Sequence, residues 1–220
     1  MDWSWEFVAE ILPRLLNGLV TTVIATVIGS AIGLAFGLLL AVAQFLRIPV
    51  ANQASRFYLF IVRGTPFLIQ LYVLFYVLPD FGIVMSPLAT GSIGLGLMFS
   101  TYFSETFRAG LESVARGQWE AATALNIPVL RTWRTIVIPQ AIKPILPALG
   151  NYVNQMFKVS ALLATIAVQE LFGTATAIGN SVFRYIEPMT IVGICYLVVS
   201  IPISILVHRL QDRRGTKVFV

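Results

Sequence analysis

The 220-residue sequence predicts an all-α polytopic membrane protein with five transmembrane helices, and three observations carry that prediction. Hydrophobic residues make up 57% of the chain and charged residues 11%, whereas soluble domains are about 45–50% apolar and about 25% charged. Charge is absent from three long runs: the 32 residues between Arg14 and Arg47, the 24 between Asp80 and Glu105, and the 20 from Pro188 to Val207. A helix rising about 1.5 Å per residue needs roughly 20 such residues to cross a hydrocarbon layer of about 30 Å. The runs also lack the apolar–polar alternation over about ten residues that a membrane barrel strand requires. This balance excludes disorder, a disulfide-stapled secreted domain and an ordinary water-soluble enzyme.

The elements follow in order. Residues 2–16 carry Trp3, Trp5 and Phe7 among Asp2, Glu6 and Glu10, and read as a helix lying in the outer interface. The first twelve residues carry no Lys or Arg, and the apolar stretch that follows is too long for a cleaved signal peptide. The first span covers 17–45, where Gly29, Gly33 and Gly37 repeat every four residues and predict a packing seam within or between subunits. The second covers 57–79 and begins with Arg63-Gly64-Thr65-Pro66. There a helix starts afresh after Gly64, with Thr65 as cap and Pro66 in the first turn; the bland alternative is a kink with a snorkelling arginine. The third span is 88–111. The fourth is 136–165, with Lys143 and Lys158 inside and Pro139, Pro144 and Pro147 as possible breaks, and the fifth is 188–208. Residues 1–220 form one transmembrane domain, with a cytoplasmic loop at 112–139.

Orientation follows from Lys and Arg in the connections. Arg47, Arg56, Arg116, Arg131, Arg134, Arg209, Arg213, Arg214 and Lys217 fall on one side, and Arg14 and Arg184 on the other. The N-terminus is thus expected outside and the C-terminus in the cytoplasm, at a bacterial inner membrane. Topology accounts for the net charge of +5, and no nucleic-acid partner is expected.

Catalytic chemistry has little to work with. Cys195 and His208 are single representatives of their types, so neither a metal cluster nor a Cys–His dyad can be assembled, and no phosphate-binding glycine loop ends in lysine. Cys195 reads as a small buried hydrophobe and His208 as an interfacial residue. Any ATP and magnesium belong on another polypeptide, and no cofactor is expected in this chain.

Polar groups inside the spans need a reason, since a charge at the bilayer centre costs about 2.5–3.5 kcal/mol on insertion scales. Asn151, Asn154, Gln155 and Lys158 share one stripe of the fourth helix, with Ser160 just beyond. Thr101, Glu105 and Arg108 form another on the third, with Tyr102 beside it. Such a lining suits a zwitterion, with donors and a cation for its carboxylate and an acceptor for its cationic group. Structurally, Glu105 would simply pair with Arg108 one turn on, and Lys158 would snorkel. Glu170 reads as an outer-face carboxylate, solvated or at a gate.

The third connection holds Glu120-Ala121-Ala122, three residues, Asn126, nine residues and Ile136-Val137-Ile138-Pro139. Physically this is a short helix, a turn at Asn126-Ile127-Pro128 and a second element, with Arg131 and Arg134 nearly one turn apart. The segment resembles the EAA loop of ABC-importer permeases, with Asn126 in place of the usual Gly and Ile138 in place of Leu. Arg63-Gly64-Thr65-Pro66 with Ile69-Gln70-Leu71, Arg108-Ala109-Gly110, Gly117-Gln118 and Pro139-Gln140-Ala141 resemble the polar amino-acid uptake branch, the histidine, glutamine and glutamate type. Tyr185-Ile186-Glu187-Pro188-Met189-Thr190 is similar to ectoine and hydroxyectoine permeases. Lys158-Val159-Ser160 departs from relatives that carry an acidic residue after the lysine.

The resemblance implies the type I importer permease fold. It also implies two ATP-binding subunits, a second permease subunit, identical or homologous, and an external solute-binding protein. Glu120, Ala121, Ala122 and Asn126 would dock the ATPase, with Arg131 nearby. The cargo would be a polar amino acid or related compatible solute. Two other classes remain: a channel-type pore subunit, which has no use for the loop, and a membrane enzyme, for which Glu105 lacks a catalytic companion.

Overall fold

The computed structural model describes residues 3–212, and every regular element among them is helical. Asp2, Arg213, Arg214 and Lys217, used above, lie outside the described residues. Helix α1 runs unbroken over Trp5–Phe45, 41 residues or about 62 Å at 1.5 Å per residue. The Ser4 side chain accepts from the Phe7 N–H at 3.3 Å and starts it. The aromatic opening segment is therefore the first turns of α1 and not a separate interfacial helix. Ile11 and Leu15 are buried in one cluster with Leu171, Ala175, Ile178 and Val192, and this packing holds the segment in line with the span.

α1 turns small residues inward and large ones outward: Gly18, Ala25, Gly29, Gly33 and Gly37 are buried, while Val20, Val23, Val27 and Leu39 are exposed. Lipid accepts the large apolar face, and small residues let backbones approach. The glycine seam lies within this subunit, against α4 (Pro87–Glu112). A Cβ at Gly33 would lie 3.1 Å from Gly96 O, and one at Gly37 2.8 Å from Ser100 O. α4 is the inner helix. Its buried Thr90, Gly91, Ser92, Gly94, Gly96 and Ser100 reflect contact with neighbouring helices in place of lipid.

The second span is not one helix. α2 (Pro49–Gly64) begins eight residues earlier than expected (57 against 49), at a proline in its first turn. α3 (Phe67–Tyr72) continues through a π turn (Val73–Val77) and a 3-10 turn (Leu78–Phe81). The two segments meet at 106°. Thr65 is extended (φ −119°, ψ 141°), the conformation favoured before proline. The predicted break is present, but Thr65 does not cap α3. Its hydroxyl donates back to Ile61 O at 2.9 Å, and Pro66 takes the cap position without a side-chain bond. Gln70 closes the open end of α2 instead, its Nε2 donating to Val62 O at 2.7 Å and Thr65 O at 3.0 Å. Gly64 has open space where a Cβ would sit and no positive φ.

After α5 (Arg116–Ala124) and the short α6 (Val129–Arg131), a π turn (Thr132–Val137) leads into α7 (Ile138–Val159). The prolines do not break α7. Pro139 sits in its first turn, where a missing N–H goes unnoticed, and the helix continues through Pro144 and Pro147. Irregularity falls at its ends instead, in the π turn before it and in the 3-10 turn Ser160–Ile166 after it. That turn bends by 44° into α8 (Leu171–Val182), a helix the sequence reading did not anticipate. α9 (Ile186–Asp212) closes the bundle. Among the described residues α1 and Ile186–Arg209 are each long and apolar enough to cross a membrane, and the two bent pairs qualify jointly.

Candidate functional site

Two separate sites emerge. The first is α5, which is riveted to the bundle by one face only. Trp119 packs 5.3 Å from Trp133 and 6.1 Å from Phe45, ring centre to ring centre. Ala122 is buried beside them, and Gln140 Nε2 donates to Gln118 Oε1 at 3.1 Å. The opposite face carries exposed Glu120, Ala121 and Leu125, and beyond the turn exposed Val129, Leu130 and Arg131. Glu120 is held loosely by Arg116 at 3.3 Å, both well exposed. The predicted docking set is thus divided: Glu120, Ala121 and Arg131 face outward, while Ala122 is the spacer that seats α5 on its own subunit.

Asn126 ends α5 in the left-handed region (φ 50°), with its N–H donating to Thr123 O at 3.0 Å and the Ile127 N–H to Ala122 O at 3.0 Å. This is the Schellman closure, in which Gly is commonest and Asn the usual substitute. The departure from the family's Gly therefore leaves the turn intact. Asn126→Gly is expected to be neutral, and Asn126→Val to cost about 1–2 kcal/mol. Faster tryptic cleavage of the loop in the valine variant alone would show it.

The second site lies where the α2–α3 bend meets α4. Arg63 ends α2 and forms an ion pair with Glu105. Its second nitrogen donates to Thr101 O at 2.7 Å, and its guanidinium lies 5.1 Å from the centre of the Tyr102 ring. Tyr102 in turn stacks on Tyr152 of α7 at 5.2 Å. Glu105 does not pair with Arg108, which binds Glu112 at 2.9 Å instead. Arg63, expected as a structural residue of the break, is therefore the cation of this cluster. Both partners keep substantial exposure, 30% for the Arg63 side chain and 48% for that of Glu105. The pair has a carboxylate, a guanidinium and an aromatic face within reach of one small zwitterion.

The α7 stripe is parted. Asn151, Gln155 and Lys158 are exposed. Asn154 is buried and turned the other way, its Nδ2 donating to Ser204 Oγ at 3.0 Å and Ser200 O at 3.4 Å on α9. Ser160 is buried and donates to Phe157 O at 2.7 Å. The last two belong to packing, because α9 lies against that side of α7.

Glu170 is neither solvated nor at the surface. It is fully buried and caps α8, accepting from the N–H groups of Gly173 at 2.6 Å and Phe172 at 3.0 Å. Thr22 Oγ1 of α1 lies 3.3 Å from its carboxylate and accepts from the Leu171 N–H at 3.0 Å, while Tyr196 OH of α9 donates at 3.4 Å. Three helices are latched at this residue. Among the described residues no group of His, Cys, Asp and Glu could hold a metal.

Residues 33–216 match the family model described as "binding-protein-dependent transport system inner membrane component". The chain is 37% identical over 202 residues to a probable amino-acid ABC transporter permease of Sinorhizobium fredii, covering 92% of this chain and 87% of the relative. It is 34% identical to a putative glutamine transport system permease of Rickettsia conorii, covering 80% and 81%. Among solved structures it is similar to an amino acid ABC transporter crystallised with histidines, with a TM-score of 0.87, 33% identity and 97% and 100% coverage. The MetNI methionine ABC transporter shares the fold at 16% identity, with a TM-score of 0.77 over 92% of this chain and 97% of that one.

Proposed function

The chain belongs to the family of binding-protein-dependent inner-membrane transport components and is an ABC importer permease subunit, and from that membership we propose that it carries a polar amino acid or related zwitterionic solute. As in the family generally, it works with ATP-binding subunits, which hydrolyse the ATP, a partner permease and a solute-binding protein. The observation that supports the cargo is the half-exposed Arg63–Glu105 pair over Tyr102, at the bend of a broken span. Broken spans bring polar groups to membrane depth in transporters. A solute bearing both a carboxylate and an ammonium can replace each partner of the pair with its own opposite charge, so the site need never expose an uncompensated ion. The exposed Asn151, Gln155 and Lys158 of α7 are the further polar groups that this reading assigns to the path. The printed names of relatives, amino-acid and glutamine permeases, support the same substrate class.

In this reading 1–220 is one transmembrane domain of five spans, with the N-terminus outside and the C-terminus in the cytoplasm. Two ATPase subunits, holding ATP and magnesium, are each engaged by the outward face of α5 of one permease through Glu120, Ala121 and Arg131, with Asn126 shaping the end of the helix. The external solute-binding protein delivers cargo on the far side, and the second permease is identical or homologous.

One reconstitution with the ATP-binding subunit tests both sites. Glu120→Lys is expected to reduce co-purification of the ATPase and uptake together, by about tenfold or more, as losing a charged contact does. Glu105→Gln should leave the complex intact and reduce uptake of a polar amino acid by about tenfold. Normal uptake and substrate-stimulated ATP hydrolysis with Glu105→Gln would sink the pathway assignment. Full assembly with Glu120→Lys would sink the docking one.

A further inference from the structure

Where α1, α2 and α4 meet at one end of the bundle, a polar cavity of about 450 Å³ is lined by Gln44, Arg47, Asn52, Arg56, Arg108 and Glu112. Glu112, the one carboxylate of the lining, pairs with Arg108 at 2.9 Å, and among the described residues neither Arg47 nor Arg56 forms an ion pair. Gln44 Nε2 is buried without a hydrogen-bond acceptor. Two guanidinium forks and the orphan Gln44 amide thus line one half-open cavity with the Asn52 amide.

Arg47 stands out further. It occupies the left-handed position after α1 (φ 52°), its N–H donating to Gln44 O at 3.2 Å and the Ile48 N–H to Ala43 O at 3.3 Å. This is the same closure that Asn126 makes, at a site where glycine is the ordinary choice and a long side chain is disfavoured. Backbone strain of this kind signals that the side chain is needed where it is. A general excess of basic residues at one membrane face explains the count of arginines, but not their gathering on one polar cavity with a buried unpartnered amide, nor an arginine in a glycine conformation. Next in sequence to the lining residues, Leu46, Ile48, Val50 and Phe57 are exposed apolar residues at 52%, 46%, 81% and 65%. They offer a surface along which acyl chains can lie beside a charged head.

We propose that this cavity binds a phosphate group, and specifically the headgroup phosphate of an anionic phospholipid. Arginine forks match phosphate oxygens two at a time, and basic pockets between membrane helices collect anionic headgroups. The site is distinct from the solute pathway and from α5, and it does not depend on which solute is carried.

The test is native mass spectrometry of the detergent-purified permease–ATPase complex, titrated with phosphatidylglycerol, phosphatidylcholine or inorganic phosphate. At about fivefold per arginine, wild type is expected to prefer phosphatidylglycerol over phosphatidylcholine by about thirtyfold. Arg47→Gln/Arg56→Gln should bring that preference below about fivefold. Displacement of the lipid adduct by millimolar inorganic phosphate would keep the phosphate site but make the soluble anion its source. An equal preference in wild type and variant, or none in wild type, overturns the proposal. If the double variant does not assemble, Gln44→Met removes the orphan amide without changing charge. It is then expected to weaken phosphatidylglycerol binding by about two- to fivefold, and unchanged binding would count equally against the site.

Discussion

Glu170→Ala is expected to destabilise the subunit by about 3–5 kcal/mol, through lost capping and buried polar groups left without partners. The carboxylate caps α8 through two N–H groups, and the hydroxyls of Thr22 and Tyr196 close around it from α1 and α9. Alanine removes the acceptor of the Gly173 and Phe172 N–H groups and of the Tyr196 hydroxyl, while the Thr22 hydroxyl keeps Gly18 O at 3.1 Å. Gly18 has no room to compensate, since its Cβ position is already 2.8 Å from Thr174 Oγ1 and 3.0 Å from Glu170 O. Glu170→Gln keeps one cap bond through its amide oxygen but sets its NH2 against the other backbone N–H, because Gly173 and Phe172 donate to different carboxylate oxygens; it should cost about 1–3 kcal/mol, less than alanine. Unfolding in mixed micelles would separate the two variants. If alanine and glutamine behaved alike, the charge and not the hydrogen-bond set would be holding the latch.

Gly37→Val is the second large effect, expected at about 3 kcal/mol or more, at the upper end of what overpacking costs. A Cβ there would meet Ser100 O and Phe103 Cβ at 2.8 Å and Ser104 N at 3.1 Å. Backbone atoms on α4 cannot swing aside as a side-chain tip can, so the two helices must separate along the seam. The damage should spread to Gly33 and Gly29, whose close contacts with Gly96, Ser92 and Phe103 depend on the same approach. Reduced membrane yield and a lower unfolding midpoint would register it. Leu39→Val, two residues on at a lipid-facing position that is 66% exposed, should change little. A Gly37→Val subunit with wild-type stability would mean that the α1–α4 approach is not close.

How much of this was legible in the sequence depended on whether local pattern or distant packing decided the outcome. α1, α4 and α9 follow directly from uncharged runs, and the ABC permease fold from the loop pattern around Glu120. α8 escaped because its 12 residues are too short to span and too rich in Gly, Thr and Ala to show an apolar face. Glu105 was set beside Arg108 because only neighbours are visible along a chain; its actual partner lies 42 residues away. Asn154 left the polar stripe because α9 came to lie on that side of α7, which no helical wheel contains. Ala121 and Ala122 could not be told apart until the Trp119–Trp133 contact fixed the phase of α5.

The long sequence separations of these contacts also set a timetable. A ribosome adding about 5–20 residues per second presents Arg63 to the membrane roughly 2–8 s before Glu105 exists. For that interval the guanidinium must stay at the water boundary, so the α2–α3 bend cannot settle into its final place until α4 arrives. Thr22 waits longer still, across the 148 residues that separate it from Glu170. The latch between α1 and α8 is therefore among the last contacts to close, after the glycine seam has already joined α1 to α4.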